Sequence, residues 1–333
     1  MKKKSTLPRL GFLGTGWIGR HRMEAIHGSG EAEIAAIADI SPENAQKAAK
    51  LVTKAKIVES IDDLLEMELD GIVIATPSAS HCSQAIRALD HGLAVFCQKP
   101  LGRNAQETEL VVAAARKSNR LLSVDFSYRF TDGIQKMYDL VQTGELGDIY
   151  AADLVFHNAY GPDKPWFYNV KLSGGGCLMD LGSHLMDLAL WFFDFPLVKT
   201  VSSSIFSQGR QMKCSTEQVE DYAVVSMVLE NGSIIRLACS WNISAGQDAV
   251  IESTFFGTKG GVCFRNVNGS FYDFKAERFQ GTSRQTLAAP PDEWGGRAAV
   301  AWCRQLRNDG GTFDAEAEKL IGVATALDAA YGR

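Results

Sequence analysis

No Cys-x-x-Cys pair occurs in this chain, although it carries 7 cysteines in 333 residues. They stand alone at Cys82, Cys97, Cys177, Cys214, Cys239, Cys263 and Cys303. An odd, scattered set argues against a zinc ribbon and a disulfide framework, and predicts reduced cytoplasmic thiols packing as small hydrophobes. Long apolar runs are missing too: none approaches the ~20 residues that a membrane helix needs. Positive charge is in deficit. Lys and Arg number 34 against 39 Asp and Glu, a net charge of −5 that speaks against nucleic acid or an anionic membrane as partner. The one basic cluster at the start, Lys2-Lys3-Lys4, is followed by no apolar signal-type segment and reads as a solvated terminus. Internal repeats and low-complexity tracts are absent as well.

What remains is an ordinary globular composition, 46% hydrophobic and 22% charged, in a chain too long for one typical core. The first third alternates strand-length and helix-length segments. Strands are predicted at Arg9–Leu13, Ile34–Asp39, Gly71–Ala75, Leu93–Cys97 and Leu121–Val124. Helices fall between them at Trp17–His27, Pro42–Lys54, Ser80–Asp90 and Ala105–Lys117. Such alternation predicts a parallel sheet covered on both faces. Near Phe130 the rhythm changes, dividing the chain into 1–127 and 128–333. A helix at Gly133–Gln142 and a strand at Ile149–Phe156 lead into a polar-aromatic loop. Beyond Thr200 the pattern is strand-rich. Tyr222–Leu229 and Ser233–Trp241 flank an Asn231-Gly232 hairpin signal, and Ala249–Phe256, Gly261–Phe264 and Ser270–Phe274 continue it. Two helices, Gly296–Arg307 and Asp314–Tyr331, close the chain. The fold class is therefore α/β: an N-terminal dinucleotide-binding domain, then an α+β domain with a large, mostly antiparallel sheet. That sheet needs cover on its second face, which points to a homo-oligomer.

The run Gly14-Thr15-Gly16-Trp17-Ile18-Gly19 follows the first strand directly and opens a helix, the context a dinucleotide fingerprint requires. Gly14 permits the tight turn, Gly16 close approach of a pyrophosphate, and Gly19 helix–sheet packing. The pyrophosphate would sit on the helix N-terminus, where free N–H groups favour anions. Asp39, 20 residues beyond Gly19, ends the second strand, where an acid hydrogen-bonds the adenosine ribose. Its charge would repel a 2′-phosphate and Ile40 offers no cation, so NAD is preferred over NADP; a capping or turn aspartate is the other reading. Thr76-Pro77 and Gln98-Lys99-Pro100 end two further strands, where open α/β sheets bind ligands. Pro100 holds Lys99 extended at the strand end. His81 either contacts the cofactor or merely begins a surface helix.

The stretch Gly174-Gly175-Gly176-Cys177-Leu178-Met179-Asp180-Leu181-Gly182-Ser183-His184 raises a question of its own. On a helix turning roughly 100° per residue, Asp180, His184 and Asp187 fall within ~60° of one another. Leu178, Leu181, Leu185, Leu188 and Phe192 cluster apart from them. Solvation does not explain the acidic stripe, because it includes Trp191 and no Lys or Arg occurs between Lys171 and Lys199. Metal binding needs a third ligand that is not in sight, so no metal is expected. Proton transfer needs only a histidine and a tuning carboxylate, although a structural Asp–His pair would look the same. The glycines ahead of it leave room for substrate or cofactor. The loop from His157 to Trp166 carries Tyr160 and Trp166, which either stack on an apolar sugar face or anchor a surface loop.

Together, Gly14–Gly19, Asp39, Thr76-Pro77 with His81, Lys99-Pro100, Tyr128-Arg129-Phe130 and Gly174–His184 resemble the glucose–fructose oxidoreductase / inositol dehydrogenase / rhizopine catabolism family, in order and over essentially the whole chain. The resemblance implies a Rossmann domain followed by an α+β domain with a large open sheet, through which such chains form dimers or tetramers. It implies a catalytic trio of Lys99, Asp180 and His184. It also implies hydride transfer between a secondary alcohol of a sugar or polyol and a nicotinamide, with Gln98 and Lys99 beside the cofactor. A redox-neutral enzyme with retained NAD, a reductase of a non-sugar carbonyl or imine, and a nucleotide-binding regulator without turnover are the alternatives. One departure stands out. The family usually has Glu-Lys-Pro, whereas this chain has Gln98-Lys99-Pro100, which removes a negative neighbour from the lysine.

Overall fold

The computed structural model describes residues 7–212 and 218–333, so Lys2-Lys3-Lys4 and Cys214 lie outside the described residues. The chain forms two compact units, 7–127 with 295–321, and 128–294 with 322–333.

The first unit is built on six parallel strands in the order β3-β2-β1-β4-β5-β6. These are β1 (Arg9–Leu13), β2 (Glu33–Ala38), β3 (Lys56–Val58), β4 (Gly71–Ile74), β5 (Ala94–Cys97) and β6 (Leu122–Val124). The order reverses between β1 and β4, which puts the ends of those strands at a topological switch point. Helices α1 (Trp17–Ser29), α2 (Pro42–Leu51), α3 (Ile61–Leu65), α4 (Ser78–Asp90) and α5 (Ala105–Ser118) connect them. Their starts are written locally. The Ser41 side chain accepts from Asn44 N–H with Pro42 at the first helical position, and Asn104 caps Glu107 in the same way. Every residue of β4 is buried, as a strand covered on both faces demands.

The second unit carries a nine-stranded sheet in the order β15-β14-β13-β12-β7-β11-β10-β8-β9. Its strands are β7 (Ile149–Asn158), β8 (Val198–Ser207), β9 (Arg210–Gln211), β10 (Tyr222–Leu229), β11 (Ile234–Ser240), β12 (Ala249–Gly257), β13 (Gly261–Asn266), β14 (Phe274–Gln280) and β15 (Ser283–Ala288). All neighbours are antiparallel except β7 with β11. The β10–β11 hairpin turns at Gly232, whose φ of +85° suits a residue without a side chain. Helices α6 (Asp132–Gln142), α7 (Val170–Ser173) and α8 (Ser183–Phe192) belong to this unit, and α8 is buried along almost its whole length. The inward residues of the central strands, among them Leu154, Phe156, Val225, Met227 and Leu237, are buried. Outward residues are mixed: Asp153 and Arg236 pair across adjacent strands at 2.6 Å, while Val224 and Ile234 are exposed.

Three differences from the sequence expectation have physical causes. The strand foreseen at Ser270–Phe274 begins only at Phe274, because the Ser270 hydroxyl gathers Tyr272 and Asp273 N–H groups into a turn. The short β3 and α3 lack the length for a periodic signal. Helix α9 (Arg297–Asp309) returns to the first unit, so the division at 127/128 is crossed a second time. An amphipathic pattern says which face of a helix is apolar, not which sheet it covers. Trp302 is why α9 lies there: fully buried, it packs 5.7 Å from Phe96 and into the space left by Gly71, where a Cβ would lie 2.8 Å from the indole. Helix α10 (Lys319–Tyr331) follows, and among the described residues no helix is long and apolar enough to cross a membrane.

Replacing Trp302 with Ala should remove this packing and leave a cavity, costing about 3–5 kcal/mol. Urea melts followed by far-UV circular dichroism measure it.

Candidate active site

In the first unit the glycine loop has the steric layout of a phosphate cradle. Gly14 has φ +87° and a Cβ there would lie 2.6 Å from the Ala75 carbonyl oxygen; one on Gly19 would lie 2.3 Å from the Gly14 carbonyl oxygen. A Cβ on Gly16 meets nothing within 4 Å, so open space lies over the N-terminus of α1. That helix starts at Gly16 with no capping side chain among the described residues, leaving its first N–H groups for another acceptor. Thr15 is buried, Ile18 half-buried and Trp17 61% exposed. These residues fit a dinucleotide pyrophosphate.

Asp39 immediately follows β2 and is already engaged. Its Oδ2 accepts from Thr15 N–H at 2.6 Å and Thr15 O–H at 3.0 Å, and its Oδ1 from Ser41 N–H at 2.8 Å. The turn reading and the ribose reading therefore coexist, since a carboxylate has further lone pairs to offer. Ile40 is 99% exposed and carries no charge. A cation does stand nearby: Arg20 donates to the Thr15 carbonyl at 2.6 Å and to Asn44 Oδ1 at 3.2 Å.

Thr76 donates its hydroxyl to Gln84 Oε1 at 2.6 Å, and Pro77 immediately precedes α4. His81 is no start of a surface helix. It is buried, and its nitrogens sit 2.7 Å from the carbonyls of Pro100 and Thr76, so the ring lies between two strand-end loops rather than presenting a free edge to a ligand. Burial pushes its imidazole below the ordinary value, against the pull of the two carbonyls. Gln98 is buried as well, and its amide donates to Asp125 Oδ2 at 2.5 Å. Lys99 follows it, half-buried.

In the second unit the segment after the glycines is not one regular helix. Leu178–Gly182 forms a π-type turn ahead of α8, a feature frequent at functional sites. The extra residue in that turn redirects the expected stripe. Asp187 departs from Asp180 and His184 altogether: it is buried and forms a two-pronged pair with Arg129, whose guanidinium also lies 5.1 Å from the Trp191 ring. Burial raises the Asp187 carboxyl and Arg129 pulls it back. Trp191 thus belongs to a structural ion pair.

Asp180 accepts a hydrogen bond from the Trp241 indole N–H at 3.2 Å. Trp241 in turn meets Phe167 and Tyr168 of the polar-aromatic loop edge to face. His184 packs edge-on to Tyr128 at 5.0 Å, and Tyr128 also touches Phe156, Phe274 and Trp294. Burial, with Asp180 nearby, pushes the Tyr128 hydroxyl far up. Within the loop Tyr160 donates to Asp248 and Trp166 stacks on Phe167 at 3.8 Å. A cavity of about 480 Å³ opens beside Trp241, walled by Phe206, Tyr222, Asp221 and Asn242.

Gly175 and Gly176 make room for the protein itself, where the sequence led one to expect room for substrate or cofactor. A Cβ on Gly176 would lie 1.9 Å from the Glu220 carbonyl oxygen and one on Gly175 2.1 Å from the Tyr331 hydroxyl. The Glu220 carboxylate, sealed from solvent, accepts Gly176 N–H and Leu178 N–H at 2.9 Å and the Tyr331 hydroxyl at 2.8 Å. Burial raises this carboxyl, and the hydrogen bonds oppose the rise. Glu220 thereby sets the start of the segment bearing Asp180 and His184. Neither it nor Trp241 has a local signature, since their partners lie 42 to 111 residues away in sequence. Asp125 was findable: an acid just beyond a parallel strand, like Asp39.

Residues 9–126 match the family model described as oxidoreductase family, NAD-binding Rossmann fold, and residues 134–263 match the GFO/IDH/MocA C-terminal domain. The chain is similar to D-glucoside 3-dehydrogenase of Escherichia coli (strain K12), at 28% identity over 270 residues and 76% of each chain. It is also similar to inositol 2-dehydrogenase of Rhizobium meliloti (strain 1021), at 26% over 262 residues, covering 78% of this chain and 76% of that one. A solved levoglucosan dehydrogenase in complex with NADH shares the fold with a TM-score of 0.82 at 20% identity, over 97% of this chain and 96% of that one. A 3-ketoreductase from Actinomadura kijaniata in complex with NADP does so with a TM-score of 0.81 at 20% identity, over 97% of both.

Two predictions follow the geometry. Glu220→Ala strands two backbone N–H groups and a hydroxyl at about 1–3 kcal/mol each, so urea melts should show a loss of several kcal/mol, and Glu220→Gln, which keeps an acceptor oxygen, a much smaller one. The second concerns acid. Because the folded-state value of His81 lies below its unfolded 6.5, the unfolded chain takes the proton first. The stability it contributes is full above pH 6.5 and is lost as pH falls through the lower folded value. Thermal melts should fall on acidification through that range, and less steeply in a His81→Gln variant.

Proposed function

This chain belongs to the glucose–fructose oxidoreductase / inositol dehydrogenase / rhizopine catabolism family of oxidoreductases, and on that premise we propose that it oxidises a secondary alcohol of a sugar, polyol or sugar derivative, using NAD. The observation that carries the cofactor side is the open space over Gly16 at the uncapped start of α1, with Asp39 at the end of the neighbouring strand. Residues Gly14 to Gly19, Asp39, Thr76, Pro77 and Lys99 would hold the dinucleotide, and bound NAD supplies the hydride acceptor. Arg20 is held by Thr15 and Asn44 through Nη1, and the charge of Asp39 carries the preference for NAD over NADP.

The chain's own residues handle the proton. His184 accepts it from the substrate hydroxyl as the C–H hydride leaves, and Lys99 hydrogen-bonds the developing alkoxide. Asp180, steadied by the Trp241 indole, orients the substrate or the imidazole. Tyr160 is tied to Asp248 and Trp166 to Phe167, so the loop presents its aromatic faces from fixed positions. The similarity to dehydrogenases of a glucoside and of inositol supports the substrate class. Assembly into a dimer or tetramer through the outward face of the nine-stranded sheet completes the reading.

The test is reduction of NAD and of NADP by purified protein over a panel of polyols, aldoses and glycosides. One substrate class should turn over, with NAD preferred. Lys99→Met and His184→Ala should each lower kcat by about 100-fold or more, and Asp39→Ser should narrow the preference for NAD. NAD that copurifies and stays bound, with no net NADH from any substrate, would favour the redox-neutral alternative. Absence of NAD binding would overturn the proposal.

A further inference from the structure

Gln98 stands where the resemblance leads one to expect a glutamate, and the residues around it give a reason. Asp125, just beyond β6, has a side chain with no solvent exposure. Two donors converge on its Oδ2 at 2.5 Å each: Arg22 Nε from α1 and Gln98 Nε2 from the end of β5. Its backbone N–H donates to the Cys97 carbonyl at 2.9 Å, which fixes it opposite Gln98 across the sheet. Arg22 is buried too, and its Nη1 meets His21 Nδ1 at 2.9 Å, so that nitrogen acts as acceptor. A glutamate at 98 would face Asp125 across a hydrogen-bond distance with one guanidinium between two carboxylates. Two such anions cannot both ionise in a sealed site, and one would have to keep a proton. An amide removes the conflict by donating.

Lys99 is consequently bracketed. On one side the Gln98 amide is held by Asp125 and its N–H by the Ile74 carbonyl at 2.9 Å; on the other, the Pro100 carbonyl is held by His81 at 2.7 Å. We infer that Asp125 is a positioning residue for Lys99: the carboxylate expected immediately before the lysine stands instead at the neighbouring strand end, and the Gln98 amide binds it there. The role assigned to Lys99 rests on the proposed function, but the coupling of Asp125, Gln98 and Lys99 does not.

A charge swap tests it. Gln98→Glu, Asp125→Asn and the double variant Q98E/D125N would be compared with the parent protein by thermal melting from pH 5 to 8. In parallel, the rate of Lys99 acylation by acetic anhydride would be followed by mass spectrometry, a readout that needs no substrate. The charged or titratable groups around the exchanged pair are Arg22 and His21 on α1, Cys97 at the end of β5 and Lys99 just beyond it, and all are kept. In Gln98→Glu the forced proton raises a folded-state carboxyl above its unfolded value, so stability is kept at low pH and lost as pH rises. Its melt should fall well below the parent's at pH 8 and approach it at pH 5. Asp125→Asn weakens the hold on the Gln98 amide by removing its charged acceptor, and through Gln98 loosens Lys99, which should speed Lys99 acylation about threefold or more. The swap should return both the melt and the acylation rate towards the parent. Parent-like melting of Gln98→Glu at every pH, a swap no better than the worse single variant, or an acylation rate unmoved by Asp125→Asn would each overturn the inference. Where a substrate has been found, kcat should follow the acylation pattern; a failure of turnover in the parent itself would count against the proposed function alone.

Discussion

The buried pair between Arg22 and Asp125 is the interaction on which the arrangement of the first unit's strand ends depends. It joins three things that sequence holds far apart: the helix that opens on the glycine loop, the strand end carrying Lys99, and the strand end of β6. Burying two charges is costly, and breaking such a pair by removing one partner costs about 3–5 kcal/mol. The pair is therefore a poor source of net stability but a strong determinant of position. Gln98 adds a second donor to the same oxygen, which ties the strand end carrying Lys99 to the pair.

The second unit solves a like problem with a different buried acid. Glu220 lies just before β10 and reaches the backbone of Gly176 and Leu178, while Tyr331 reaches the same carboxylate from the end of α10. Glycines at 175 and 176 permit this approach because any side chain there would collide with the partner. The reward is a rigid start for the π-type turn and for α8, hence fixed origins for Asp180 and His184. Both units thus use a carboxylate withdrawn from water to orient polar groups that stay nearer the surface. Electrostatic interactions are stronger away from water, so each acid constrains its donors more tightly than an exposed one would.

The alternation of strands and helices was legible because each element buries a face with its own period, and β1 and β10 even match the predicted bounds residue for residue. The glycine loop was legible for a related reason: its requirements are steric and local. Asp187 was misread, since its spacing from His184 suits a shared stripe, yet its partner Arg129 lies 58 residues earlier. Likewise His81 carries no mark of burial in its neighbours, and only the approach of the Pro100 and Thr76 carbonyls sets it between two loops.

By itself the sequence determined where the strands and helices lie, which strand ends carry polar groups, and which residues are of a kind to move a proton. These follow from propensity, periodicity and steric need within a few residues. Tertiary structure alone decided which acids are spent on holding the protein together, and with which partners. Asp187, Glu220 and Asp125 are claimed by Arg129, by backbone N–H groups and by Arg22, and Asp180 accepts a hydrogen bond from the Trp241 indole. The physical reason is that a buried charge must find its partner wherever the fold brings one, and sequence distance places no limit on that search.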